Sequence, residues 1–207
     1  MGLLKKYHIT LLVAILFGLG AAAQDYESLR NAFSESYKLE KEGDYTQAIQ
    51  TLKEVFDEDS YEVNLRLGWL NYNAGMYTES ASYYRKAIKL MPHSIEAKFG
   101  LALPVYAQGN VDEVIHIYKD VLKIAPQNYT ANYRMGSIYY GREDYSTAYK
   151  YFEKIVNMHP FDYDALHMFA WTNLKMGKVR EAKVLFNKAL MNNPDSKSAK
   201  EGLDLIK

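Results

Sequence analysis

The chain has no cysteine among its 207 residues. That excludes disulfides, thiolate catalysis, thiolate metal sites and the lipidated cysteine of a bacterial lipoprotein. A surplus of one charge is also missing, because 25 Lys and Arg balance 25 Asp and Glu. Nothing in that balance attracts nucleic acid. No glycine-rich phosphate loop, His pair at ligand spacing or nucleophile motif occurs, so the chain reads as non-catalytic and without a cofactor. Long apolar runs are scarce too. The longest uncharged run of this kind, about 17 residues from Tyr7 to Ala23, follows Lys5 and Lys6 and ends in Ala21-Ala22-Ala23. A basic flank, an apolar stretch and a small-residue end make residues 1–23 a secretory signal, with cleavage expected after Ala23 rather than retention as a short anchor. Cleavage removes Lys5 and Lys6 and leaves 23 basic against 25 acidic residues. The product, residues 24–207, is expected to be exported to a bacterial periplasm or secreted, with no stable membrane insertion.

Proline is rare, and its placement is informative. Of five prolines, four (Pro92, Pro126, Pro160 and Pro194) stand 34 residues apart. A fixed period of this size marks stacked supersecondary units, and 34 suits a helix-turn-helix. Other positions share the period. Small residues recur at Ser36, Gly68, Ala102, Gly136 and Ala170, where a neighbouring helix can come close. Breaks follow at Gly43, Gly75, Gly109 and Gly177, each two residues before Tyr or Val; in the fourth unit the glycine, Gly141, is displaced two places earlier. Beyond the breaks come Leu52, Tyr84, Tyr118, Phe152 and Phe186, and three residues later Val55, Ala87, Val121, Ile155 and Ala189. Spacings of three and four put these on one helix face. The first unit is two residues shorter and is read with Ser60 in the proline's place.

These coincident small, aromatic and proline positions resemble the tetratricopeptide repeat over five units, about 29–60, 61–94, 95–128, 129–162 and 163–196. Departures are Asn64, Lys98 and Asn132 at a large apolar place and Val114 at a place for Ala. The resemblance implies an all-α, right-handed superhelical solenoid of antiparallel helix pairs whose first helices line a concave groove. Residues 197–207, with Asp195 and Ser196 as caps and Ala199, Leu203 and Ile206 on one face, are expected to form a C-terminal capping helix. No low-complexity linker interrupts the units, so one domain is expected.

A second face of each first helix carries three places spaced by four and three residues. They read Phe33, Tyr37, Glu40; Leu65, Trp69, Tyr72; Phe99, Leu103, Tyr106; Tyr133, Ser137, Tyr140; and His167, Trp171, Leu174. Nine of these fifteen are aromatic against 14% in the chain, and only Glu40 is charged. In the resembled family this face looks into the groove, which implies an aromatic trough with Tyr37, Trp69, Tyr72, Phe99, Tyr106, Tyr133, Tyr140, His167 and Trp171 as contact residues. Tyr and Trp suit a half-exposed wall because each has a polar tip. The absence of a cationic set argues against capture of acidic C-termini. The expected partner is another protein or a peptide segment, which makes the chain an interaction scaffold. Glycan stacking and self-association are the alternatives. Pro104, inside a first helix, predicts a local bend. Asp112, His116 and Asp120, at four-residue steps, could offer metal ligands but read better as a solvated face.

Overall fold

The computed structural model describes residues 26–206; the expected signal, 1–23, lies outside the described residues. Eleven helices and no strand are found among the described residues. In chain order they are α1 (26–42), α2 (Tyr45–Glu54), α3 (Tyr61–Asn73), α4 (Tyr77–Leu90), α5 (Ile95–Ala107), α6 (Val111–Ile124), α7 (Tyr129–Gly141), α8 (Tyr145–Met158), α9 (Tyr163–Lys175), α10 (Val179–Asn192) and α11 (Lys197–Asp204). The described chain divides after Gln108 into two compact units. In the first, α2 packs on α3, α3 on α4 and α4 on α5, with α3 also touching α5. In the second the series runs from α6 to α11, with α9 touching both α7 and α11. The resulting architecture is the all-α solenoid of paired helices, with α11 in the place of a sixth first helix.

The periodic positions do the work their chemistry suggests. At the breaks, Gly43, Gly75, Gly109 and Gly177 have φ of 80°, 76°, 78° and 75°, the left-handed region that glycine enters without strain. In the fourth unit that conformation falls on Glu143, with φ of 61°, because Gly141 is still in α7. Tyr84 lies flat between two first helices. A Cβ on Gly68 of α3 would stand 2.9 Å from its ring, and one on Gly100 of α5 would overlap it. Phe152 sits likewise on Gly136, and Phe186 on Gly202 of α11. Gly100 is thus explained by the ring across from it. The helix itself passes through buried Pro104 as a single element.

Caps recur with the period as well. Ser60, Ser94, Asn128, Asp162 and Ser196 each accept a backbone N–H in the first turn of the following helix. Ser60 therefore holds the cap place, not the proline place. The shortening falls in α2, which has 10 residues where the other second helices have 14. Three first-position tyrosines bind the next cap: Tyr61 hydroxyl to Ser94 Oγ at 2.7 Å, Tyr129 to Asp162 Oδ1 at 2.6 Å and Tyr163 to Ser196 Oγ at 2.6 Å. Asn64 and Asn132, the departures from a large apolar side chain, use Nδ2 to hold loop carbonyls: Glu58 and Ser60 for one, Pro126 and Asn128 for the other. A buried amide that ties down the loop replaces an apolar filler.

Candidate functional site

The most open aromatic side chains of the second face lie in the first unit. Tyr37 on α1 is 50% exposed, Trp69 on α3 38% and Tyr106 on α5 62%, with Leu103, also on α5, at 36%. Tyr72 and Phe99 are half-buried. Trp69 leans on Tyr72 with ring centroids 6.2 Å apart, and Tyr72 on Tyr77 at 5.8 Å. This wall is braced from behind by a charge pair. Arg66 of α3, 6% exposed, gives Nη1 to Glu40 Oε2 at 2.6 Å and Nε to Ser36 Oγ at 3.2 Å, and its guanidinium lies 3.8 Å from the centre of the Tyr37 ring. The indole N–H of Trp69 donates to the other oxygen of Glu40. One carboxylate therefore fixes Tyr37, through the arginine, and Trp69 directly. Rings held this way lose little freedom when they are covered. Glu40 was legible as the one charged residue on an aromatic face. Its counter-charge, Arg66, was missed, although a lone carboxylate among rings calls for a cation beside it.

In the second unit the equivalent residues are taken up by packing. Tyr133 is stacked on Tyr129 at 6.0 Å and 6° and meets Phe152 edge-on. Burial pushes its hydroxyl pKa up, helped by the charge of Asp164. Tyr140 meets Tyr145 edge-on at 5.3 Å, and burial raises its pKa as well. His167 and Trp171 are half-buried and turned to α11. Trp171, equivalent to Trp69 by sequence, packs edge-on against Phe186 and spends its N–H within the chain. The structure thus joins Tyr37, Trp69 and Tyr72 around Arg66 and Glu40, with Phe99 and Tyr106 on α5 of the same unit. Tyr133, Tyr140, His167 and Trp171 belong to the second unit.

Two family sequence profiles, each for the tetratricopeptide repeat, match the chain, one over residues 61–94 and the other over 139–203. The chain is a tetratricopeptide repeat protein. Its fold is similar to that of a tetratricopeptide repeat protein from Parabacteroides merdae, at 21% identity over 87% of this chain and 72% of that one, with a TM-score of 0.75. It is also similar to a MamA protein (22% identity, 81% and 93% covered, TM-score 0.70) and to MamA from Desulfovibrio magneticus (19%, 82% and 97%, 0.69). No curated protein matches the chain at a significant level.

Elsewhere in this tetratricopeptide array the acidic stripe is engaged in ion pairs. Asp112 takes Arg142 Nη2 at 2.8 Å and Asp120 takes Lys123 Nζ at 2.8 Å, while His116 is exposed. Among the described residues no group of three or more His, Asp and Glu is placed to hold a metal ion. No described helix is long and apolar enough to cross a membrane.

Proposed function

We propose that the chain is an exported, non-catalytic adaptor of the cell envelope that holds a segment of a partner protein against the first unit's aromatic wall. The tetratricopeptide repeat is generally a protein-interaction scaffold, and that broad role rests on the family. The finer reading rests on one observation: Tyr37, Trp69 and Tyr106 are exposed while a buried arginine and a carboxylate lock two of them in place. Exposed rings in fixed rotamers are what a recognition surface needs and what a mere packing seam does not leave open. The remaining groove positions, now engaged in the second unit, act as support. Location in the envelope rests on the reading of residues 1–23.

The test is a pull-down from envelope extract with residues 24–207, run beside Tyr37→Ala/Tyr106→Ala. Both rings are half-exposed or more, and Arg66 keeps its bonds to Glu40 and Ser36 without Tyr37, so the variant should keep its helical circular dichroism. Loss of the same partners from the variant supports the wall. Retention of every partner by a folded variant sinks it. Retardation in polysaccharide gels with no protein partner would favour glycan binding, and concentration-dependent sedimentation would favour self-association.

A further inference from the structure

At the end of the second unit α9 and α11 are joined by a triangle of side chains. His167 Nε2 lies 2.9 Å from Ser198 Oγ, and the indole nitrogen of Trp171 lies 3.1 Å from each. An indole nitrogen only donates. For Trp171 to bond His167, Nε2 must therefore carry a lone pair, which puts the imidazole hydrogen on Nδ1 and leaves the ring neutral. We propose that His167 is an acid-released latch for the C-terminal helix: a proton on Nε2 turns the shared acceptor into a donor facing the Trp171 N–H, and α11 leaves α9.

Several features make the contact able to act as a latch. With eight residues α11 is too short to hold its own helix in water, so its order depends on docking. The docking combines the triangle, the Tyr163 hydroxyl on Ser196 at 2.6 Å, Ala199 with Gly202 closed over Phe186, and Leu203 and Ile206 packed on the same core. Ser198 can turn its lone pairs to a charged imidazole. Trp171 then has one acceptor fewer and a hydrogen against its own. The half-buried site resists the charged form, so the pKa of His167 lies below the ordinary histidine value, with the carboxylate of Asp164 on the same helix pulling the other way.

The other groups around it do not offset this. Tyr163 is stacked on the imidazole, at 5.5 Å and 17°. From α7 come Tyr133, an uncharged phenol, and Arg134, which is exposed. α8 and α10 meet α9 with the uncharged rings of Tyr149 and Phe186. On α11 the charges of Lys197, Lys200 and Glu201 are exposed, and of all these charges only Asp164 acts appreciably on His167. A histidine with a lowered folded pKa contributes its stability in full above its unfolded value, near 6.5, and loses it as pH falls through the folded value. Between the two values the undocked population grows by about tenfold per unit of pH.

Nuclear magnetic resonance on residues 24–207 tests this between pH 7.5 and pH 5. The two indole N–H signals are assigned by comparison with Trp69→Phe. The Trp171 indole and the amides of 197–206 should move toward unfolded positions with one midpoint. That midpoint should coincide with the titration of the His167 ring and lie below the ordinary histidine value near 6.5. His167→Gln offers a carbonyl acceptor that does not titrate, and should keep α11 docked across the range. Static α11 signals while His167 titrates would overturn the proposal. So would a midpoint matching another histidine, or release of α11 in the Gln variant over the same range. If that variant does not fold, the comparison of midpoints in the unaltered chain decides alone.

Discussion

At the fourth break one residue carries a conformation meant for another. Glu143 adopts the left-handed backbone that glycine takes at the other four breaks, while Gly141, two residues earlier, occupies a helical place with open space around it. Glu143→Gly should relieve about 1 kcal/mol of strain, and Gly141→Ala should add about 0.5–1 kcal/mol through the unfolded chain and helix propensity. Thermal denaturation of both single variants and the double variant checks this; the expected result is a rise in Tm for each and near-additivity for the pair. Gly100 is the opposite case. Its Cβ would occupy the Tyr84 ring, so Gly100→Ala should destabilise by about 1–3 kcal/mol, measured by urea unfolding. A displaced Gly141 was visible in the sequence. So was Glu143, which stands 34 residues after Gly109 and 34 before Gly177 at the vacated glycine place; its left-handed backbone shows only in the structure.

Between elements the recurring bond is the tyrosine on the neighbouring cap. Tyr129 donates to an ionised acceptor, Asp162, whereas Tyr61 and Tyr163 meet serine hydroxyls. Hydrogen bonds to charged groups are the stronger, so Tyr129→Phe should cost about 1.5–3 kcal/mol and Tyr61→Phe about 0.5–1.5 kcal/mol. Chemical denaturation of the two variants under one set of conditions orders them; equal losses would contradict the assignment. Helix pairs, breaks and the seam of small residues were legible because each leaves a residue type behind at a 34-residue spacing once the shorter first unit is passed. The clasp was legible in principle, since Tyr61, Tyr129 and Tyr163 keep the period with Ile95 among them, and so do the caps. Reading it required knowing that a first position in one unit lies over the cap of the next. Periodicity cannot say which equivalent ring is open, either. Trp69 and Trp171 hold the same place, and only the neighbour decides: Glu40 braces one at the surface, Ser198 and Phe186 enclose the other.

For the whole molecule the two tryptophans fall in different compact units, which makes each a reporter for its own. Stability in a repeat array is a sum over units and the contacts between neighbours. Ending the chain at residue 196 removes α11 and uncovers Phe186, so the Trp171 transition in urea should shift to lower concentration. The Trp69 transition should shift less, as read in single-tryptophan variants. Equal shifts would mean that the array unfolds as one block.

The doubled use of three of the cap residues sets a rule for how this chain can change length. Ser94, Asp162 and Ser196 each start one helix and receive the tyrosine that opens the first helix of the preceding repeat, 33 residues upstream. An insertion or deletion of a few residues inside that interval shifts one partner off the other, as well as rotating a face. A whole block of 34 residues preserves both duties. Lengthening or shortening of such a chain is therefore quantised in complete repeats, and the one tolerated exception, the short α2, lies ahead of Ser60, outside the intervals spanned by the three observed clasps.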